Sequence, residues 1–186
     1  MNYNEPGTAF RLGDKPLNLK DYIRDVPDFP TPGTLFRDIT PLLKDTEAFK
    51  STIEMFAERY TGSRIDAIVG IEARGFMFAA PLCHRLGIPF VPIRKLGKLP
   101  YRTHTVSYEL EYGSDAVEVH VDALSGGDRV LIVDDLLATG GTLAASTKLI
   151  EQAGAVVAGL AIVIELDDLG GRTTLDNYDI FSLVHY

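Results

Sequence analysis

The sequence predicts an α/β fold, a mostly parallel central sheet flanked by helices. Three observations carry that expectation. Short apolar runs rich in β-branched residues recur at 65–71, 90–93, 129–133, 156–164 and 180–184, as strands buried on both faces require. Helical periodicity fills the intervals, as where Phe49, Ile53, Phe56, Ala57 and Tyr60 recur at three- and four-residue spacing. Strands alternating with helices imply parallel neighbours joined by right-handed crossovers. A length of 186 residues suits one domain with a sizeable core.

Composition narrows the class of partner. Apolar content of 46% and charged content of 24% are ordinary for a globular chain. The net charge of −8 argues against general binding to nucleic acid or an anionic membrane. It leaves room for a small anion held by a local nest of N–H groups and a few arginines. Cys83 is the single cysteine, so there is no internal disulfide framework. No apolar run approaches membrane-spanning length, and the N-terminus lacks a basic segment followed by an apolar stretch. A soluble cytoplasmic protein is the expectation.

Taken in order, residues 1–15 read as a loose polar arm. A short helix is expected over 17–24. The stretch 26–33, VPDFPTPG, holds prolines at 27, 30 and 32, so it is extended or turned. It reads as a connector, or as a stiff segment presenting backbone groups to a planar ligand. The segment 16–40 is expected to form a small hood. Asp45 or Thr46 caps the next helix. The strand at 65–71 runs into Gly70-Ile71-Glu72-Ala73-Arg74-Gly75, a charged turn at the carboxyl end, where open α/β sheets bind ligands. A helix over 76–86 follows, closed by Gly87.

Residues 94–105, RKLGKLPYRTHT, form a basic island in an acidic chain. The composition fits a solvated hairpin tip or a lid over an anion. Strands at 106–112 and 116–121 flank it as a hairpin, the second with Val117, Val119 and Val121 on one face and His120 on the polar one. His84 reads as structural, His104 as solvated or phosphate-facing, and Cys83 as a small core residue. No His, Cys and Asp spacing suggests zinc.

The stretch 129–153 organises the chain: a buried strand, the acidic pair Asp134-Asp135 ending it, the small-residue turn Ala138-Thr139-Gly140-Gly141-Thr142, and a helix from about Leu143. Adjacent carboxylates at the end of a buried strand need partners. Small residues at a helix start let backbone N–H groups and the helix dipole meet an anion. Thr139 and Thr142 add hydroxyl donors. A phosphorylated polyol satisfies both halves, with phosphate on the N–H groups and sugar hydroxyls on the carboxylates. The pattern is neither a Walker A loop nor GxGxxG.

VLIVDDLLATGGT resembles the phosphoribosyl-pyrophosphate (PRPP) motif of the type I phosphoribosyltransferases. Further segments are similar to the adenine phosphoribosyltransferase branch: the proline-rich segment from Pro27 to Ile39, Gly70-Ile71-Glu72-Ala73-Arg74-Gly75-Phe76, Ile93-Arg94-Lys95-Leu96-Gly97-Lys98-Leu99-Pro100, and Tyr108-Glu109-Leu110-Glu111-Tyr112-Gly113. The resemblance covers about residue 22 to the C-terminus. It implies a type I phosphoribosyltransferase fold over 1–186 with an N-terminal hood and a flexible lid hairpin at 94–113. The implied enzyme is a pentosyltransferase of purine salvage, converting adenine and PRPP to AMP and diphosphate.

The resemblance also implies roles. Ala138, Thr139, Gly140, Gly141 and Thr142 take the 5′-phosphate, and Asp134 and Asp135 the ribose hydroxyls. Glu72, Ala73 and Arg74 take the diphosphate with the lid cations Arg94 and Lys98. Leu35, Phe36 and Arg37 contact adenine, Phe36 by packing more than stacking. Glu111 handles the proton at adenine, and Tyr112 helps seal the lid. Magnesium is implied as cofactor, held mainly by substrate and water rather than by a protein cage. A homodimer is implied, because lid-base residues of the family can act across a subunit interface. Many relatives carry Asp-Ser where this chain has Glu72-Ala73. Transfer to another base and a non-catalytic PRPP sensor are the competing readings.

Overall fold

The apolar runs of the chain form strands as expected, and the order in which they pair decides where a ligand can bind. The computed structural model describes residues 17–110 and 113–186. They divide into two compact units, the first ending at Met55 and the second covering Phe56–Tyr186. The arm expected over 1–15 lies outside the described residues.

In the first unit a 3-10 turn, Leu19–Tyr22, stands where a helix was expected, with the Asn18 side chain accepting from the Lys20 N–H. Strands β1 (Arg24–Pro27) and β2 (Leu35–Asp38) then pair antiparallel, with Val26 opposite Phe36. Pro27 is tolerated because it closes an edge strand. The turn between them is fixed by the Asp28 carboxylate, which accepts the Gly33 N–H at 2.7 Å. Helix α1 (Thr40–Lys44) has Pro41 in its first turn, where a missing N–H costs nothing. Helix α2 (Thr46–Tyr60) follows. Asp45 caps it, accepting from the Glu47 and Ala48 N–H groups at 3.1 and 2.9 Å.

The second unit holds β3 (Ala67–Ile71), α3 (Gly75–Leu86), β4 (Phe90–Lys95), β5 (Thr103–Leu110), β6 (Gly113–His120), β7 (Arg129–Leu137), α4 (Gly141–Gln152), β8 (Val156–Glu165), α5 (Gly171–Thr174) and β9 (Ile180–His185). Their order across one sheet is β5-β6-β4-β3-β7-β8-β9. Strands β4, β3, β7, β8 and β9 are parallel neighbours. The hairpin β5–β6 joins antiparallel at the edge of β4. Helix α3 closes at Gly87, whose φ of 68° suits glycine.

From β3 the chain crosses to β4 on one side. From β7 it crosses to β8 on the other. Right-handed crossovers in opposite directions put α3 and α4 on opposite faces. Accordingly Val69, Ile71, Ile93, Val130 and Ile132 cluster with Leu143, Leu149 and Ile150 of α4. Phe78 and Leu82 of α3 are fully buried, as is the alternate strand residue Ile68. Each such side chain contributes about 1.5–3 kcal/mol of burial. The point where the order reverses, between β3 and β7, opens a crevice at the carboxyl ends of those strands.

The structure departs from the sequence reading at several points. Strand β7 does not stop at Val133. It continues through Asp134 and Asp135, because the ladder to β8 persists to Leu137 opposite Glu165. Strand β4 reaches Lys95 because Arg94 and Lys95 pair with Glu118 and Val117. The polar face of β6 is not solvated. Glu118 is buried, accepting N–H groups from the loop that follows β4.

Candidate active site

Two helix N-termini meet one cleft. The first belongs to α3, which starts after Glu72-Ala73-Arg74 at the end of β3. Its first residue, Gly75, lies so close to β7 that a Cβ would meet the Val133 carbonyl at 2.6 Å and Asp134 Oδ1 at 3.0 Å. Only glycine lets the helix start there. The Glu72–Ala73 peptide is cis. The second N-terminus belongs to α4, entered through Gly140 at φ 84°. Neither helix has a side-chain cap at its start, so first-turn N–H groups face the cleft.

Packing from below shapes the phosphate-type loop. A Cβ on Gly140 would meet the Gly171 carbonyl at 2.9 Å, and one on Gly171 would collide with the Ala138 carbonyl. Thr174 Oγ1 donates to the Thr139 carbonyl at 3.2 Å. Arg172 ties this underpinning to the sheet through Glu165 at 2.8 and 2.6 Å.

Between the helices lies the acidic pair. Successive strand residues face opposite ways, and the pair divides accordingly. Asp135 is buried and pairs with Arg74 at 2.9 Å. Asp134 Oδ1 accepts the Asp135 N–H at 2.9 Å. Burial and then the charge of Asp135 push the Asp134 carboxyl well above the usual carboxylate range. Burial also raises Asp135, against the lowering effect of Arg74.

The resulting cleft, about 750 Å³, is lined by Glu72, Ala73, Arg74, Asp134, Asp135, Ala138, Thr139, Gly140, Gly141 and Thr142 among others. All were singled out from sequence. Lys95 and Tyr108 line it too; both lie in segments that resemble the family, but the sequence assigned neither of them a role. Lys95 pairs with Asp115 at 3.1 Å, and Tyr108 is within 3.3 Å of Thr142.

The other predicted residues lie elsewhere. Arg94 and Lys98 are outside the cleft lining. Arg94 donates to both Glu72 carboxylate oxygens at 3.1 and 2.9 Å and to the Lys98 carbonyl at 3.0 Å. The Arg94 hydrogen bonds hold the Glu72 carboxyl below its ordinary value. The Glu72 side chain is thus a brace for the lid base, also accepting the Lys95 N–H at 3.1 Å. Lys98 is exposed. Leu35, Phe36 and Arg37 are β2 residues of the first unit. There Leu35 is 46% exposed, Phe36 meets Phe29 edge-on at 5.2 Å, and Arg37 pairs with Asp25. Glu111 and Tyr112 lie outside the described residues.

A strand, an acidic pair and a glycine loop thus open one helix, and a second uncapped helix faces it. A model of the phosphoribosyl transferase domain matches residues 42–184. The adenine phosphoribosyltransferase of Roseiflexus castenholzii is 58% identical over 170 residues, 91% of this chain and 99% of that one. The chain belongs to the adenine phosphoribosyltransferase family. Among solved adenine phosphoribosyltransferases, that of Thermoanaerobacter pseudethanolicus superposes with a TM-score of 0.88 at 54% identity, covering 90% of this chain and 98% of that one. That of Saccharomyces cerevisiae, complexed with an imino-altritol bisphosphate and adenine, gives 0.85 at 43% identity over 89% and 96%. The family's type I phosphoribosyltransferase fold accounts for the parallel sheet and the antiparallel edge hairpin.

One cluster outside the cleft has metal-ligand spacing: Glu165, Asp167 and His185. Its central carboxylate is already occupied by Arg172 and by Ser182 at 2.6 Å.

Proposed function

We infer that this chain transfers the 5-phosphoribosyl group of PRPP to adenine, giving AMP and diphosphate in purine salvage. The observation that carries this is the pair of uncapped helix N-termini on either side of two carboxylates. PRPP has that layout: an anion at each end and a diol between.

In this reading the N–H groups and hydroxyls of residues 138–142 hold the 5′-phosphate. Asp134 and Asp135 accept the 2′- and 3′-hydroxyls and oppose the positive charge that develops on the sugar as the bond to diphosphate breaks. Ala73, Arg74 and the α3 N-terminus receive the departing diphosphate, with Lys95 beside them. Glu72 supports this subsite through its backbone while its side chain holds Arg94. Leu35, Phe36 and Arg37 meet adenine. Backbone groups there distinguish an exocyclic amine from a keto oxygen, because the wrong base leaves buried groups unpaired. Glu111 handles the adenine proton and Tyr112 seals the lid.

The donor chemistry fits magnesium. Asp134 and Asp135 offer carboxylate oxygens, each already accepting one protein hydrogen bond. Such a pair suits an ion that keeps most of its water and takes substrate oxygens. Bound there, magnesium would supply positive charge to the diphosphate oxygens. A homodimer is proposed from the lid base, where Leu96 and Tyr101 are 62% and 53% exposed on either side of Lys98. A second copy covers such apolar side chains and brings Arg94 and Lys98 near its own cleft. Among the described residues no helix is long and apolar enough to cross a membrane.

The test is incubation with PRPP, magnesium and each of adenine, hypoxanthine, guanine and xanthine, with the nucleotide identified by chromatography. AMP alone is expected. IMP, GMP or XMP as main product overturns the base assignment, and PRPP binding without any product overturns the reaction. In the same assay Glu111→Leu is expected to lose turnover while retaining PRPP binding. Unchanged turnover removes Glu111 from the mechanism.

A further inference from the structure

Tyr108 stands within a polar chain that joins two residues lining the cleft, Thr142 and Lys95. Thr142 Oγ1 is 3.3 Å from Tyr108 Oη, which is 3.3 Å from Asp115 Oδ2, which is 3.1 Å from Lys95 Nζ. The first group belongs to the loop at the start of α4, and the last lines the cleft beside Arg74. The other oxygen of Asp115 accepts the Ala116 N–H at 2.8 Å.

The directions of these bonds are forced. An ionised carboxylate only accepts, so the single Tyr108 proton points at Asp115. The Tyr108 oxygen then has only lone pairs for Thr142, and the single Thr142 proton points at Tyr108. A phosphate on the loop is likewise acceptor-only. Thr142 cannot give its one proton to both. At 3.3 Å both hydroxyl contacts are longer than the usual 2.7–2.8 Å, so an anion can displace them.

We propose that Tyr108 is a positioning residue that competes with the 5′-phosphate for the Thr142 proton while relieving the hold of Asp115 on Lys95. It thereby sets the affinities for the two ends of PRPP in opposite directions. Removing the Tyr108 hydroxyl frees the Thr142 proton for phosphate. The same removal takes a donor from Asp115, which then grips Lys95 harder and withdraws it from diphosphate. The inference rests on the assignment of the two subsites given above.

Calorimetric titration of wild type and Tyr108→Phe with ribose 5-phosphate and, separately, with diphosphate and magnesium tests it. Tyr108→Phe is expected to bind ribose 5-phosphate about threefold more tightly and diphosphate about threefold more weakly, the size of one modest hydrogen bond. A ring that merely packs gives no such opposed shift. Both affinities falling together, or neither changing, overturns the proposal. If wild type binds neither probe, the subsite assignment fails and takes the proposal with it. Asp115→Asn provides a second arm should Tyr108→Phe not fold. It keeps an acceptor for Tyr108 but loses the negative charge that holds Lys95, so diphosphate is expected to bind about threefold more tightly and ribose 5-phosphate to change less. No gain for diphosphate overturns the proposal.

Discussion

On one wall of the cleft, residues 138–142 are held by contact: Gly140 and Gly171 meet backbone to backbone, and α4 behind them buries Leu143, Leu149 and Ile150. On the other side, where Lys95 alone of its stretch lines the cleft, the chain from Arg94 to Leu99 is held by carboxylates. Glu72 takes the Arg94 side chain and the Lys95 N–H, while Glu118 accepts the Lys98 and Leu99 N–H groups at 2.9 Å each. The first wall has no room to give, so its shape is independent of salt. The second is a short loop pinned at charged points, released whenever those points are lost. A cradle for a terminal phosphate stays the same through a reaction cycle. A lid base has to let a product leave.

Breaking the first wall is expected to have the largest effect. Gly171→Val forces a side chain into the Ala138 carbonyl and displaces the loop. A cost of about 2 kcal/mol raises the KM for PRPP roughly 30-fold, with the KM for adenine unchanged and the ratio insensitive to added salt. Steady-state kinetics at two ionic strengths reads both. A KM for PRPP that stays at the wild-type value shows that the loop does not depend on its underpinning.

Breaking the second wall comes next. Glu118→Ala leaves two N–H groups without their acceptor, at about 1.4 kcal/mol, so the KM for PRPP rises about tenfold. Glu118→Gln keeps a carbonyl acceptor and is expected to recover most of the loss. If the two variants behave alike, it is the charge of Glu118 and not its hydrogen bonds that matters.

The smallest effect sharpens the comparison at the floor between the walls. Asp134 holds its proton more tightly in the folded protein than in the unfolded chain. Stability is therefore lost as pH rises through the raised value, because the folded state must then carry a buried like-charged pair. Asp134→Asn is expected to raise the melting temperature by about 3 °C at pH 8, for a gain near 1 kcal/mol. The gain disappears as pH falls towards the ordinary aspartate range. A melting curve that does not move at pH 8 means Arg74 already neutralises the pair.

How far the sequence could be read follows from the same contrast. The first wall was legible because local chemistry dictates it: a strand, two carboxylates, glycines and a helix are contiguous from Arg129 to Gln152. The mostly parallel sheet followed from alternating elements, but the order of its strands did not. What escaped notice depended on distant parts meeting. Glu118 drew no role from the sequence, because nothing in its neighbours announces a loop folding over it. Tyr108 and Lys95 enter the cleft only through the pairing of β4, β5 and β6. Asp134 read as a strand end because a carboxylate is costly in a sheet, yet here the sheet ends in a cavity. Arg94 and Lys98 were assigned to the diphosphate as cations in a lid, whereas Arg94 is occupied by Glu72.

The close approach at Gly75 has one more consequence. Helices α3 and α4 leave from the ends of two strands that are hydrogen-bonded neighbours, with Gly70 opposite Val133. Such neighbours sit about 4.8 Å apart, and that spacing belongs to the main chain. Side-chain substitution can tighten or loosen the grip on either end of a ligand. It leaves the spacing of the two strands as it is. The sheet therefore fixes the spacing of the two strand ends from which the helices that frame the cleft depart.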